Sequence, residues 1–157
     1  MSIRNNFLLG KNRSLTPEVL AQGGPIIPVE VGITSLLADL YVKEKRELPA
    51  PQSGFALIDT GASRTCVDDD VIRKLKINPI GEAKTTTAAG VRQNRLYPAH
   101  LNFPTAKMHI EFSSVIGVDL KMQKFNNQAI IALLGRDVLS SMLFVYNGPA
   151  GMFTLAR

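Results

Sequence analysis

Asp59 closes the apolar run Phe55-Ala56-Leu57-Ile58 and is followed by the small residues Thr60-Gly61-Ala62-Ser63. A carboxylate this close to a buried strand needs a partner or a chemical task. As a bare string Asp-Thr-Gly also suits an N-cap or a turn, and a given triplet arises by chance about once in several thousand positions. Its context is what sets it apart. A second apolar run, Ala129-Ile130-Ile131-Ala132-Leu133-Leu134, ends in Gly135-Arg136-Asp137 about 75 residues further on.

The other candidate groups have simpler readings. Cys66 is the only cysteine, which excludes an intrachain disulfide and leaves any zinc site to histidine and carboxylates. It reads as a small core residue rather than a nucleophile. His100 and His109 lie on strand-like segments without a His-Glu-x-x-His helix, and no metal or other cofactor is expected. Asp68-Asp69-Asp70 reads as a helix cap, since no glycine and later Glu complete a calcium loop.

These residues need elements to position them, and the composition favours strands. The 157 residues suit one domain, with 45% hydrophobic and 20% charged residues, while nine prolines and twelve glycines favour short strands and turns. Eighteen Lys and Arg against thirteen Asp and Glu give a net charge of +5, but the basic residues are dispersed. That pattern reads as solvated surface rather than a nucleic-acid site. No run of about 18 apolar residues spans a bilayer, and the patch Phe7-Leu8-Leu9 is too short for a secretory signal, so a reducing cytoplasm is the expected location.

In chain order, residues 1–25 read as an arm or short helix, with Thr16 as N-cap, Pro17 at the first helical position and Gly23-Gly24-Pro25 as the stop. The domain proper is expected over 26–157. Strands are expected at 26–33, 54–58 and 64–67, the last leading into a helix with Val71, Ile72 and Leu75 on its apolar face. Leu36 to Val42 fits helix or strand equally and is read as an insertion. A projecting hairpin is expected over 84–92, with Gly90 supplying a positive φ, then strands at 96–103 and 108–112 paired across Pro104-Thr105-Ala106. The buried strand 129–134, a short helix at 138–142 and a closing hairpin of 143–146 with 152–155 complete the chain.

Ala-Leu-Ile-Asp-Thr-Gly-Ala-Ser together with Ala-Leu-Leu-Gly-Arg-Asp-Val-Leu resembles the retropepsin-like aspartic proteases, and Tyr146-Asn147-Gly148 with Phe153-Thr154-Leu155 resembles their cellular and bacterial members. The resemblance implies a mostly-β, single-domain acid-protease fold: a closed, barrel-like sheet with a ψ-shaped loop, a flap hairpin and a short C-terminal helix. It makes Asp59 catalytic and Thr60, Gly61 and Ala62 the active-site turn. Thr86, Thr87, Ala88, Ala89 and Gly90 become the flap over the substrate, and Leu134, Gly135, Arg136 and Asp137 the ψ-loop and helix start.

Such chemistry takes two carboxylates sharing one proton, one acting on water as general base and the other toward the carbonyl as acid. The chain has one Asp-Thr-Gly, so the implied enzyme is a homodimeric aspartic endopeptidase acting on a peptide or protein, with Asp59 from each subunit. Thr60 would lock the two turns across the dyad and Gly61 would admit close approach of substrate. The alternative is a non-catalytic dimer of the same fold that grips peptide without cutting it; a membrane role is not expected. Where retroviral members commonly carry acids just after the Ala, this chain has Ser63 and Arg64, so the resemblance does not carry their ion pair over to Arg136. A serine in place of Ala62 would donate to the catalytic carboxylate and favour its charged form, and alanine does not. Proteolysis is therefore expected to peak between mildly acidic and neutral pH; a rate profile peaking at strongly acid pH would contradict this.

Overall fold

The structure, a computed structural model, describes residues 16–87, 90–125 and 127–156. Thr16 accepts the Val19 amide and opens helix α1 (Pro17–Gly23), which Gly24 ends at a φ of 73°. Strand β1 (Ile26–Gly32) buries Ile27, Val29 and Val31 by alternation. Thr34 then caps helix α2 (Ser35–Lys43), which resolves the ambiguous stretch 36–42 as helix. Strand β2 (Gln52–Ile58) delivers Asp59, and β3 (Cys66–Asp68) runs directly into α3 (Asp69–Lys74). Strands β4 (Gly81–Thr87) and β5 (Gly90–Phe103) form the expected hairpin, starting earlier than residue 84. A 3-10 turn (Pro104–Ala106) joins β5 to β6 (Met108–Val118), which extends past the expected end at Phe112. The short β7 (Lys124–Phe125) pairs with β8 (Gln128–Leu134). Helix α4 (Arg136–Leu139) starts two residues before the expected 138, and β9 (Leu143–Asn147) and β10 (Met152–Ala156) make the closing hairpin.

The pairings β1–β2, β2–β8, β8–β3, β3–β6, β6–β5 and β5–β1 return to their starting strand. The mostly-β fold is thus a closed ring of six strands, each paired on both sides. Strand β8 lies between β2 and β3, parallel to the first and antiparallel to the second. This is the ψ arrangement, and it sets Leu134 beside Ile58 at the end of both strands. The first half of β5 continues beyond the ring with β4 as a projecting hairpin, while β9 and β10 form a separate two-stranded sheet.

Inside the ring, Ala99, Leu101 and Phe103 of β5 meet Val29 and Val31 of β1 and Leu134 of β8 in one cluster. Among the described residues no helix is long and apolar enough to cross a membrane. Phe103 is fully buried in this cluster. Replacing it with alanine is expected to lower unfolding free energy by about 3–5 kcal/mol, read as a shift in the urea midpoint at unchanged slope.

Candidate active site

Strand β2 ends where the Asp59 amide donates to the Leu134 carbonyl of β8, at 3.0 Å. The chain then turns, the Ala62 amide donating to the Asp59 carbonyl at 3.2 Å. Oδ1 of Asp59 accepts from the Gly61 amide at 2.8 Å and from the Ala62 amide at 3.2 Å. No described residue donates to Oδ2. One carboxylate oxygen is therefore fixed by two backbone dipoles while the other remains available to a reactant, in a half-buried residue at the edge of a cleft.

The segment that ends the second apolar run of the sequence clamps this turn from the other side. Gly135 caps α4 and lies so close to the chain that an added Cβ would fall 2.5 Å from the Arg64 carbonyl carbon. Only glycine fits there. From this contact the Arg136 amide donates to the Ala62 carbonyl at 2.9 Å and the Asp137 amide to the Ser63 carbonyl at 3.2 Å. The Arg136 guanidinium donates to the carbonyls of Thr60, at 2.7 Å, and Gly61, at 3.1 Å. Arg136 thus holds the turn through neutral backbone groups, in keeping with the absence of acids at Ser63 and Arg64.

Asp137 has a role that sequence reading did not assign. Its Oδ2 accepts the Thr65 amide at 2.9 Å, and its Oδ1 accepts the Thr65 hydroxyl at 2.8 Å. That hydroxyl also accepts the Gly135 amide at 3.2 Å. Thr65 is fully buried, a polar residue at the centre of the clamp that went unrecognised because its partners lie 70 and 72 residues away. Strand β3 begins at Cys66 instead of residue 64: the Thr65 amide goes to the Asp137 carboxylate and its carbonyl accepts the Ile116 amide of β6, so Thr65 stays out of the β8 ladder.

Asp59, Gly61, Ala62 and Leu133 line a cleft of about 620 Å³, with Thr85 and Thr86 of β4 on its other side. Of the expected flap residues, Thr86 lines the cleft, Thr87 pairs with Gly90, and Gly90 takes a φ of 113°. Ala88 and Ala89 lie outside the described residues. The Thr60 side chain is exposed, and its hydroxyl makes no hydrogen bond within the described chain. Asp68 acts as the expected cap of α3, its Oδ1 accepting the Asp70 amide, and its Oδ2 also accepts the Leu120 amide at 2.8 Å.

No protein-family model matches the chain, and no curated protein matches it. Among solved structures it is similar to the protease of simian foamy virus (mac), at 18% identity and a TM-score of 0.40 over 72% of this chain and 91% of that one. It is also similar to a retropepsin-like aspartic protease from Rickettsia conorii, at 16% identity and a TM-score of 0.42 over 96% of this chain and 98% of that one.

Cys66 sits on the cleft floor, its thiol donating to the Arg64 carbonyl at 3.4 Å. Burial, with the negative charges of Asp137 and Asp59, pushes that thiol up to about 11. Thiolate being the reactive form, Cys66 of the folded protein is expected to resist iodoacetamide at pH 8 and to react once urea unfolds the chain. Rapid alkylation of the native protein, followed by mass spectrometry, would contradict this placement.

Proposed function

We propose that the chain is one half of an aspartic endopeptidase, completed by a second copy. Asp59 and its symmetry mate share one proton. The ionised carboxylate takes a proton from a water as its oxygen attacks the scissile carbonyl carbon, and the protonated one gives its proton to the carbonyl oxygen. Breakdown of the tetrahedral intermediate returns a proton to the departing nitrogen. The peptide lies extended between the cleft floor and the β4–β5 hairpin, whose strands supply main-chain groups along it.

The observation that carries this reading is the state of Asp59. Its Oδ1 accepts the Gly61 and Ala62 amides as in an Asx turn, which fixes the carboxylate, while Oδ2 takes no bond from a described residue at a cleft that Thr85 and Thr86 of the hairpin also line, and so is left for proton transfer. Thr60 would join the two turns across the twofold axis through its exposed hydroxyl.

The C-terminal hairpin supports the reading of a second copy. From Val138 to Ala156 the sequence carries no charged residue. The hairpin β9–β10 formed by this stretch exposes Leu143 by 61%, Val145 by 46% and Met152 by 36%. An uncharged, apolar sheet face of this kind suits an isologous contact with itself.

The test combines solution mass with cleavage of an unstructured protein by the wild type and by Asp59→Asn. A dimer is expected, with activity reduced at least about a thousandfold in the variant. A monomer that cleaves would overturn the shared dyad. A dimer that binds peptide without cutting it would instead establish the non-catalytic binding module.

A further inference from the structure

The cleft beside Asp59 is bordered by cations that have no carboxylate partner among the described residues. Arg64 lines it next to Cys66, Ile116 and Leu133, and Lys84 of β4 lines it as well. Among the described residues Asp59 is its only acid. The Arg64 guanidinium is half-buried and held by one nitrogen, Nη2, which donates to the Ser114 hydroxyl at 2.5 Å and to the Ser114 carbonyl at 3.3 Å. Both acceptors are neutral.

The described ion pairs all lie elsewhere: Arg46 with Glu44, and Arg73 and Lys121 with Asp70. Asp137, three residues beyond Leu134, commits both carboxylate oxygens to Thr65. Arg64 is therefore oriented by the fold but not neutralised by it, and a guanidinium offers five N–H donors, of which few are used here.

We propose that this cleft selects substrates carrying an acidic side chain beside an apolar residue, the carboxylate docking on Arg64 while the apolar group rests on Cys66, Ile116 and Leu133. The substrate class follows from the charge. A carboxylate gains a charge-assisted, fork-shaped hydrogen bond in a partly desolvated place, and a lysine or arginine meets like charge. Lys84 adds to the same field from the hairpin side. The inference rests on the reading of this cleft as a peptide site. Under the twofold symmetry of the proposed dimer each substrate meets Arg64 twice, so acidic positions are favoured on both sides of the cleaved bond.

The experiment uses the full-length protein and synthetic peptides that share an apolar pair at their centre and carry Glu, Gln or Lys at each flanking position. Initial cleavage rates are compared for the wild type, Arg64→Glu, and Arg64→Gln combined with Lys84→Glu, each first checked for a cooperative thermal transition. The same fluorescent peptides are titrated into Asp59→Asn, and into Asp59→Asn carrying each change. Glu is expected over Gln by roughly tenfold at one position on either side, with the preference shrinking in high salt and turning toward Lys in Arg64→Glu. If Arg64→Glu does not fold, loss of the Glu preference in the double variant decides the matter.

Cleavage without any preference for acid would overturn the proposal and leave the protease reading standing. Absence of cleavage, with Glu peptides still bound more tightly than Lys peptides and the order reversed by Arg64→Glu, would support the charge selection and remove the protease reading. Peptides that neither bind nor are cut would overturn the proposal.

Discussion

Everything about this site depends on how closely Gly135 lies against Arg64 and Thr65, where no Cβ fits. The contact exists because β8 lies between β2 and β3, so its chain must leave the sheet directly over the turn that joins those two strands. At that distance the turn and the start of α4 exhaust each other's hydrogen-bonding groups. The amides of Arg136 and Asp137 meet the carbonyls of Ala62 and Ser63, and the Asp137 carboxylate meets Thr65. Each such bond contributes only about 0.5–1.5 kcal/mol net, yet leaving the fully buried Thr65 unpaired costs more than the bond gives. The turn is thus fixed by what it would lose in any other position, and Asp59 inherits that rigidity.

The charges around the turn follow the same economy. Arg136 and Arg64, two cations near the Asp59 carboxylate, are each held by neutral oxygens: Thr60 and Gly61 carbonyls for one, Ser114 for the other. With Ser63 and Arg64 where acids would allow ion pairs, the guanidinium of Arg136 turns to backbone carbonyls at the turn. Neither arrangement places a second carboxylate beside Asp59, which is the only acid lining the cleft among the described residues, so the proposed dyad takes its second carboxylate from another copy.

What could be read in the sequence was whatever the backbone period and the apolar runs express locally. Strands β1, β2 and β8 are legible because Ile27, Val29 and Val31 alternate and because Phe55 to Ile58 and Ala129 to Leu134 are continuous apolar runs. Asp59 and Gly135 are legible as the residues ending the last two. What was not legible depends on distant partners. Helix α2 is decided partly by Glu111 on β6, which accepts the Ser35 amide and hydroxyl from 76 residues away. That bond also holds the Glu111 carboxyl below its usual range, the Ser35 amide being the main cause. Thr65 has no local signal at all, since a threonine in a short strand looks like any other until Asp137 arrives beside it.

The stretch after Gly135 therefore has two duties that the sequence keeps in adjacent segments. Gly135 to Asp137 positions the carboxylate within one chain, and the uncharged run from Val138 to Ala156 presents an apolar hairpin to the outside. In the proposed dimer the first segment sets where Asp59 points and the second sets how close its mate can come. A change on the exposed face of β9 or β10, remote from Arg136 and Asp137, leaves the turn clamped and alters only the association of the two halves. A change at Gly135 or Thr65 does the reverse, loosening each carboxylate without touching the hairpin's outer face. Because a shared proton requires both conditions together, geometry within a subunit and association between subunits enter the activity as a product, and neither segment can make up for loss of the other.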